Sequence, residues 1–129
     1  ARTVRDIMKP APTIELDKRI SDAARVLVNA SASMVMVVSE KGRPMGIVTS
    51  WDIARGMASN LPMDASLTRV MTADMVTVPP GATIIECIRM LEHHGISAMP
   101  VVEESRVMGI ISGDILARQT LFRLLQTMD

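Results

Sequence analysis

The chain has 129 residues, 48% hydrophobic and 22% charged, and its 14 basic side chains are balanced by 14 acidic ones. That apolar content supports a packed core and excludes disorder. The balanced charge leaves no basic excess of the kind nucleic acid selects, and Trp51 and Phe122 are too few for a base-stacking platform.

In chain order, a short segment Val4-Arg5-Asp6-Ile7-Met8 comes first, followed by an extended stretch around Pro12-Thr13-Ile14. Ile20, Ala23, Ala24, Leu27 and Val28 fall at i, i+3, i+4, i+7 and i+8. That spacing predicts an amphipathic helix. Arg19 stands at its cap position, a poor capping residue. Val35–Val38 and Pro44–Thr49 flank Glu40-Lys41-Gly42-Arg43 and predict a hairpin with a near-continuous apolar inner strand. A helix begins near Asp52, and residues 56–66 form a short linker. The order then starts again. Val76-Thr77-Val78 is extended, and Pro79-Pro80-Gly81 precedes a helix carrying Ile84, Cys87, Ile88 and Leu91. Thr83 with Glu86 fits a capping box at its start. Val101-Val102 and Val107–Ser112 flank Glu103-Glu104-Ser105-Arg106 as a second hairpin, and a last helix starts near Asp114.

The second half thus repeats the first. Ile7-Met8 matches Val70-Met71, and Ile20-Ser21-Asp22-Ala23-Ala24 matches Ile84-Ile85-Glu86-Cys87-Ile88. Met36-Val37-Val38 matches Pro100-Val101-Val102. Met45-Gly46-Ile47-Val48-Thr49 matches Met108-Gly109-Ile110-Ile111-Ser112, and Asp52-Ile53 matches Asp114-Ile115. Five blocks in one order, offset by 62 to 64 residues, point to duplication. The expected fold is α/β (α+β): two repeats, residues 1–63 and 64–129, each strand-helix-strand-strand-helix and packed with pseudo-two-fold symmetry.

This ordered set resembles the cystathionine-β-synthase (CBS) domain in tandem, the Bateman module, over essentially the whole chain. The resemblance implies a regulatory protein that is not itself an enzyme. It implies clefts between the repeats that take an adenosine derivative: AMP, ADP, ATP, S-adenosylmethionine or methylthioadenosine. It also implies a homodimer, with the final helices meeting, and a regulated protein partner. The alternative is a dimerisation module that acts through contacts alone, with empty clefts.

The residues themselves offer a chemistry for that cleft. Gly-apolar-apolar-Thr/Ser followed by Asp places a hydroxyl and a carboxylate at a strand-to-helix turn. A carboxylate can accept hydrogen bonds from both ribose hydroxyls, and a helix N-terminus suits an anion. Asp52 and Asp114 are the ribose candidates, and Thr49 and Ser112 the phosphate-side candidates. The competing reading is that both aspartates merely cap their helices. Thr13, Ile14 and Thr77, with Ser33, Met34, Ser97, Ala98 and Pro100, are candidates for the adenine slot. The two turns differ, since Ser112-Gly113-Asp114 is one residue shorter than Thr49-Ser50-Trp51-Asp52. One competent site, built on Thr49 and Asp52, is therefore expected, with Trp51 narrowing or covering it. Ser33-Met34 and Ser97-Ala98 supply no cation, which leaves Arg43, Arg106, His93 or His94 to meet a phosphate. Weak discrimination by phosphate count, or preference for a ligand carrying little negative charge, follows.

Other chemistry is thin. A single cysteine, Cys87, permits no intramolecular disulfide and suits a cytoplasmic setting. It takes the core position equivalent to Ala23, so a buried thiol is expected rather than a nucleophile or metal ligand. No metal site, required cofactor or catalytic constellation is expected. The longest apolar run, Met34–Val38, is too short for a bilayer, and no apolar region after the charged start suggests a signal peptide. Met, present 12 times, is expected as core filling.

Overall fold

The structure is a computed structural model that describes residues 2–128. Its elements are helix α1 (Val4–Ile7), strand β1 (Thr13–Glu15), α2 (Ile20–Ala30), β2 (Met34–Val38), β3 (Pro44–Thr49) and α3 (Ser50–Ala58). A 3-10 turn (Leu67–Arg69), α4 (Ile84–His94), β4 (Ala98–Glu103), β5 (Arg106–Ser112) and α5 (Gly113–Thr127) follow. The mixed α/β repeat is as expected, with one difference. The strand expected at Val76-Thr77-Val78 shrinks to a single parallel bridge between Val78 and Val101. Pro79, Pro80 and Pro100 carry no N–H to extend that ladder.

Two compact units divide the chain. One holds Ala11–Met75 with Ser105–Val107. Its sheet has the order β1-β2-β3, with β1 parallel to β2 and β2 antiparallel to β3. All five residues of β2 are buried, which explains their unbroken apolarity. Ile14, Ala23, Leu27, Val35, Val37, Val48 and Leu67 form the core. The Arg19 side chain makes no cap bond at the start of α2, but Asp22 Oδ2 accepts the Arg19 N–H at 2.9 Å. The Ile20 N–H donates to the Ala65 carbonyl (2.9 Å) and the Ser21 N–H to that of Met63 (2.9 Å). The linker does what Arg19 cannot, satisfying the orphan N–H groups of the first turn.

The other unit holds the stretch up to Pro10, Val76–Glu104, and the stretch from Met108 onwards. Strands β4 and β5 pair as a hairpin. Val4, Val78, Cys87, Leu91, Met99, Val101, Ile111 and Leu116 lead its core. Thr83 caps α4, its hydroxyl accepting the Glu86 N–H at 3.1 Å. Cys87 is fully buried, and burial pushes its thiol up to about 11.

Each unit is completed by the opening segment of the other sequence copy. Lys9 bridges Ile110 on β5, and Thr72 bridges Ile47 on β3. This crossing strip explains one sequence feature shared by both copies. A Cβ on Gly109 would lie 2.6 Å from the Lys9 carbonyl oxygen, and one on Gly46 would lie 2.8 Å from that of Thr72. The glycines of the two Gly-apolar-apolar-hydroxyl motifs make room for backbone.

Candidate ligand site

The two strand-to-helix turns carry the candidate residues. In the first, Thr49 is the N-cap of α3. Its hydroxyl accepts the Asp52 N–H at 3.0 Å, and Asp52 Oδ2 accepts the Thr49 N–H at 2.8 Å. The pair is a capping box with Asp at its third helical position. Asp52 thus shares in capping α3 from the third helical position, as the competing reading has it, although Thr49 holds the cap position. Asp52 is 7% exposed, the one buried charged residue among those described. Its Oδ1 meets the Arg55 guanidinium at 2.5 Å. Asp and Arg three apart on a helix lie on the same side, so this pairing follows from spacing.

Asp52 and Arg55 line a cavity of about 390 Å³ together with Gly56, Arg69, Met71 and Thr72. Arg55 and Arg69 line this cavity and are not among the candidates the sequence singles out. The i, i+3 spacing from Asp52 could have found Arg55. Nothing local could have found Arg69, which is brought in by the 3-10 turn and the Thr72–Ile47 bridge. The cations beside Asp52 are thus other than the four named from the sequence. Arg43 and Arg106 are exposed, and His93 and His94 lie exposed at the end of α4; none lines this cavity. Trp51, 66% exposed, does not line it either.

Met34 pairs with Thr49 across β2 and β3. The Ser33 carbonyl accepts the Ser50 N–H at 3.0 Å, so Ser33, Met34, Thr49 and Asp52 share one neighbourhood. Thr13 and Ile14 lie on β1, paired with Met36 and Val37. Thr13 is exposed, whereas Ile14 is buried and belongs to the core.

The second turn repeats the backbone but not the carboxylate. Ser112 caps α5, accepting the Ile115 N–H at 3.2 Å, and the Ser97 carbonyl accepts the Gly113 N–H at 2.9 Å. The missing residue moves Asp114 to the second helical position, where it is exposed and makes no hydrogen bond among the described residues. Ala98 and Pro100 lie on β4, Pro100 buried, and Thr77 is exposed beside the Val78 bridge. A separate cavity of about 520 Å³ between α4 and α5 is lined mainly by apolar groups, among them Ile88, Leu91, Ile96, Leu116 and Leu121.

Among the described residues, no three His, Cys, Asp or Glu side chains gather as a metal site. No described helix is long and apolar enough to cross a membrane.

A family model for the CBS domain matches residues 4–59 and again 67–121. The CBS domain pair of protein MJ0100, solved in complex with 5′-methylthioadenosine and S-adenosyl-L-methionine, superposes with a TM-score of 0.87. It shares 29% identity, and the match covers 95% of this chain and 98% of that one. A homoserine O-acetyltransferase of Methanosalsum zhilinae is 38% identical over 114 residues, which is 87% of this chain and 23% of the relative. An L-aspartate semialdehyde sulfurtransferase of Methanosarcina acetivorans is 36% identical over 117 residues, 89% of this chain and 23% of the relative. The chain thus spans about a quarter of the length of the curated relatives it matches.

Proposed function

Because this chain belongs to the CBS domain family, as two tandem copies, we propose that it is a regulatory module that senses an adenosine-containing ligand. The observation that carries this reading is the similarity to a domain pair solved with methylthioadenosine and S-adenosylmethionine, at 29% identity over nearly the full length of both. The geometry supplies a chemical reason. A buried carboxylate with its orientation locked by a capping box stands at the edge of an open cavity, and it can accept from the two hydroxyls of a ribose. Thr49, Asp52, Ser33 and Met34 form the first turn's candidate site, with Thr13 and Ile14 on the adenine side. Ser112, Asp114, Ser97, Ala98, Pro100 and Thr77 form the second. The exposed Asp114 favours the first turn as the stronger site.

The module regulates rather than catalyses, and the reaction it governs belongs to a separate catalytic part or partner. The matched relatives, about four times as long and bearing enzyme names, support that division. Leu121, Phe122, Leu124 and Leu125 of α5 are each more than half exposed. Such a patch favours a second copy of the chain as its cover.

Thermal unfolding with methylthioadenosine, S-adenosylmethionine and AMP tests the reading. A ligand at a hundredfold excess over its Kd stabilises by about 2.7 kcal/mol. An unchanged melting temperature with all three would overturn ligand sensing and leave the dimerisation module.

A further inference from the structure

We propose that Met71 is an oxidation site in the wall of the Asp52 cavity, and that its sulfoxide shuts that cavity. The modification rests on packing alone, and its effect on a ligand rests on the ligand-sensing reading above. Met71 is half-buried and lines the cavity. It also packs against the core of its unit. Its side chain lies flat on β3, where a Cβ on Gly46 would meet Met71 Cγ at 2.6 Å and Sδ at 2.7 Å. Two hydrogen bonds of 2.9 Å between Thr72 and Ile47 hold the neighbouring backbone and keep the thioether against the strand. The strand covers one side of the sulfur and leaves the cavity as the approach for a small oxidant.

A hydroperoxide is the oxidant such a site takes. A sulfur lone pair attacks its terminal oxygen, the O–O bond breaks and an S–O bond forms. The sulfur gives up two electrons, and the reduced peroxide leaves as water or an alcohol. An apolar thioether thereby becomes a polar sulfoxide. The core side offers the new oxygen apolar groups, Ile14, Val48 and Leu67 among them, and an acceptor buried without a donor is costly. On the cavity side the exposed Arg69 side chain lines the same wall and can donate. The oxygen therefore turns into the cavity and takes up space beside Asp52. Strand β3 runs on from Gly46 to Thr49, whose hydroxyl accepts the Asp52 N–H, so a sulfur displaced from Gly46 also disturbs the capping box. A methionine sulfoxide reductase reverses the change: a dithiol becomes a disulfide and the oxygen leaves as water.

Treatment of the chain with hydrogen peroxide tests this, read by peptide mass spectrometry. Calorimetry with methylthioadenosine, S-adenosylmethionine and AMP follows once the peroxide is removed. Met57 is 63% exposed, and Met36 and Met99 are fully buried, which sets the fast and slow limits of oxidation. Met71 should oxidise at least about tenfold faster than Met36 and Met99, since susceptibility follows access. The oxidised chain should bind its ligand about tenfold or more weakly, and sulfoxide reductase should restore the affinity. Met71→Leu keeps a similar apolar volume and should bind alike before and after peroxide, although its other exposed methionines still oxidise. Met8→Leu, the matching change in the first copy, should lose affinity on oxidation as the parent does. Oxidation of Met71 as slow as that of Met36, or an equal loss of affinity in Met71→Leu and the parent, would overturn the proposal while leaving ligand sensing intact. Failure of the untreated chain to bind any of the three would overturn ligand sensing and the switch together.

Discussion

Replacing Asp52 separates its structural work from its ligand work. In Asp52→Ala the Thr49 N–H loses the acceptor it now has at 2.8 Å. A partly buried donor left unpaired costs about 1–3 kcal/mol, and a lost cap alone costs about 1 kcal/mol. The Arg55 ion pair adds little, because its guanidinium side is 59% exposed and screened by water. The expected loss is about 2 kcal/mol. At a urea slope of about 2 kcal/mol/M the midpoint moves down by about 1 M. Asp52→Asn keeps a carbonyl oxygen for the Thr49 N–H and gives up only the charge, so about half that loss is expected. Its ligand affinity should nonetheless fall at least tenfold, since a charge-assisted acceptor for the ribose has gone. Asp114→Ala, at an exposed and unbonded position, should stay within about 0.5 kcal/mol of the parent. Urea unfolding by circular dichroism gives the stabilities, and calorimetry gives the affinities. Equal stability losses in Asp52→Ala and Asp114→Ala would refute the capping-box argument. Stronger loss of binding in Asp114→Ala would refute the asymmetry of the two turns.

Gly109→Ala forces a methyl to 2.6 Å from the Lys9 carbonyl. It strains the two Lys9–Ile110 hydrogen bonds of 2.8 and 2.9 Å, and a loss of about 2–3 kcal/mol in urea unfolding is expected. Gly113→Ala, whose new carbon would sit at an ordinary 3.7 Å, should unfold like the parent. The β4–β5 turn holds Glu104 at φ 50° and Ser105 at φ 61°, a conformation that suits Asn-Gly. Glu104→Asn with Ser105→Gly should therefore raise the urea midpoint, with a gain of about 1 kcal/mol. Cys87 should resist alkylation at pH 8 and react once urea unfolds the chain, because burial keeps the thiol protonated up to about 11. The folded value lies above the ordinary 9.0, so this group's contribution to stability is intact below pH 9 and fades between about 9 and 11. On the proposal that a second copy covers α5, the parent should sediment as a dimer and Leu121→Glu with Leu125→Glu as a monomer without lower stability, as both side chains are exposed. An unchanged dimer would place the interface elsewhere.

Much of this fold was legible in the chain because apolar spacing reports directly on buried faces. The 20, 23, 24, 27, 28 pattern became α2, and the unbroken Met34–Val38 run became the fully buried β2. The duplication was legible too, as was the register slip at Ser112-Gly113-Asp114, since one missing residue on a helix rotates its side chain to another face. Other features needed chain segments distant in sequence. The carbonyls that cap α2 come from the linker, and a bare Arg19 gave no hint of them. The exchange of opening segments between the compact units could not be read from two copies that look self-contained in sequence order.

At the candidate site the same boundary holds. The sequence alone set the hydroxyl-to-Asp spacing, and through it a carboxylate in a capping box on one turn and an exposed one on the other. That is local geometry, decided within four residues of backbone. Only the tertiary structure decided the charge around Asp52. Arg69 lies 17 positions away in the sequence and reaches the cavity because Thr72 pairs with Ile47. Electrostatics acts through space, so a cation's influence on a site depends on where the chain returns and not on where it is written.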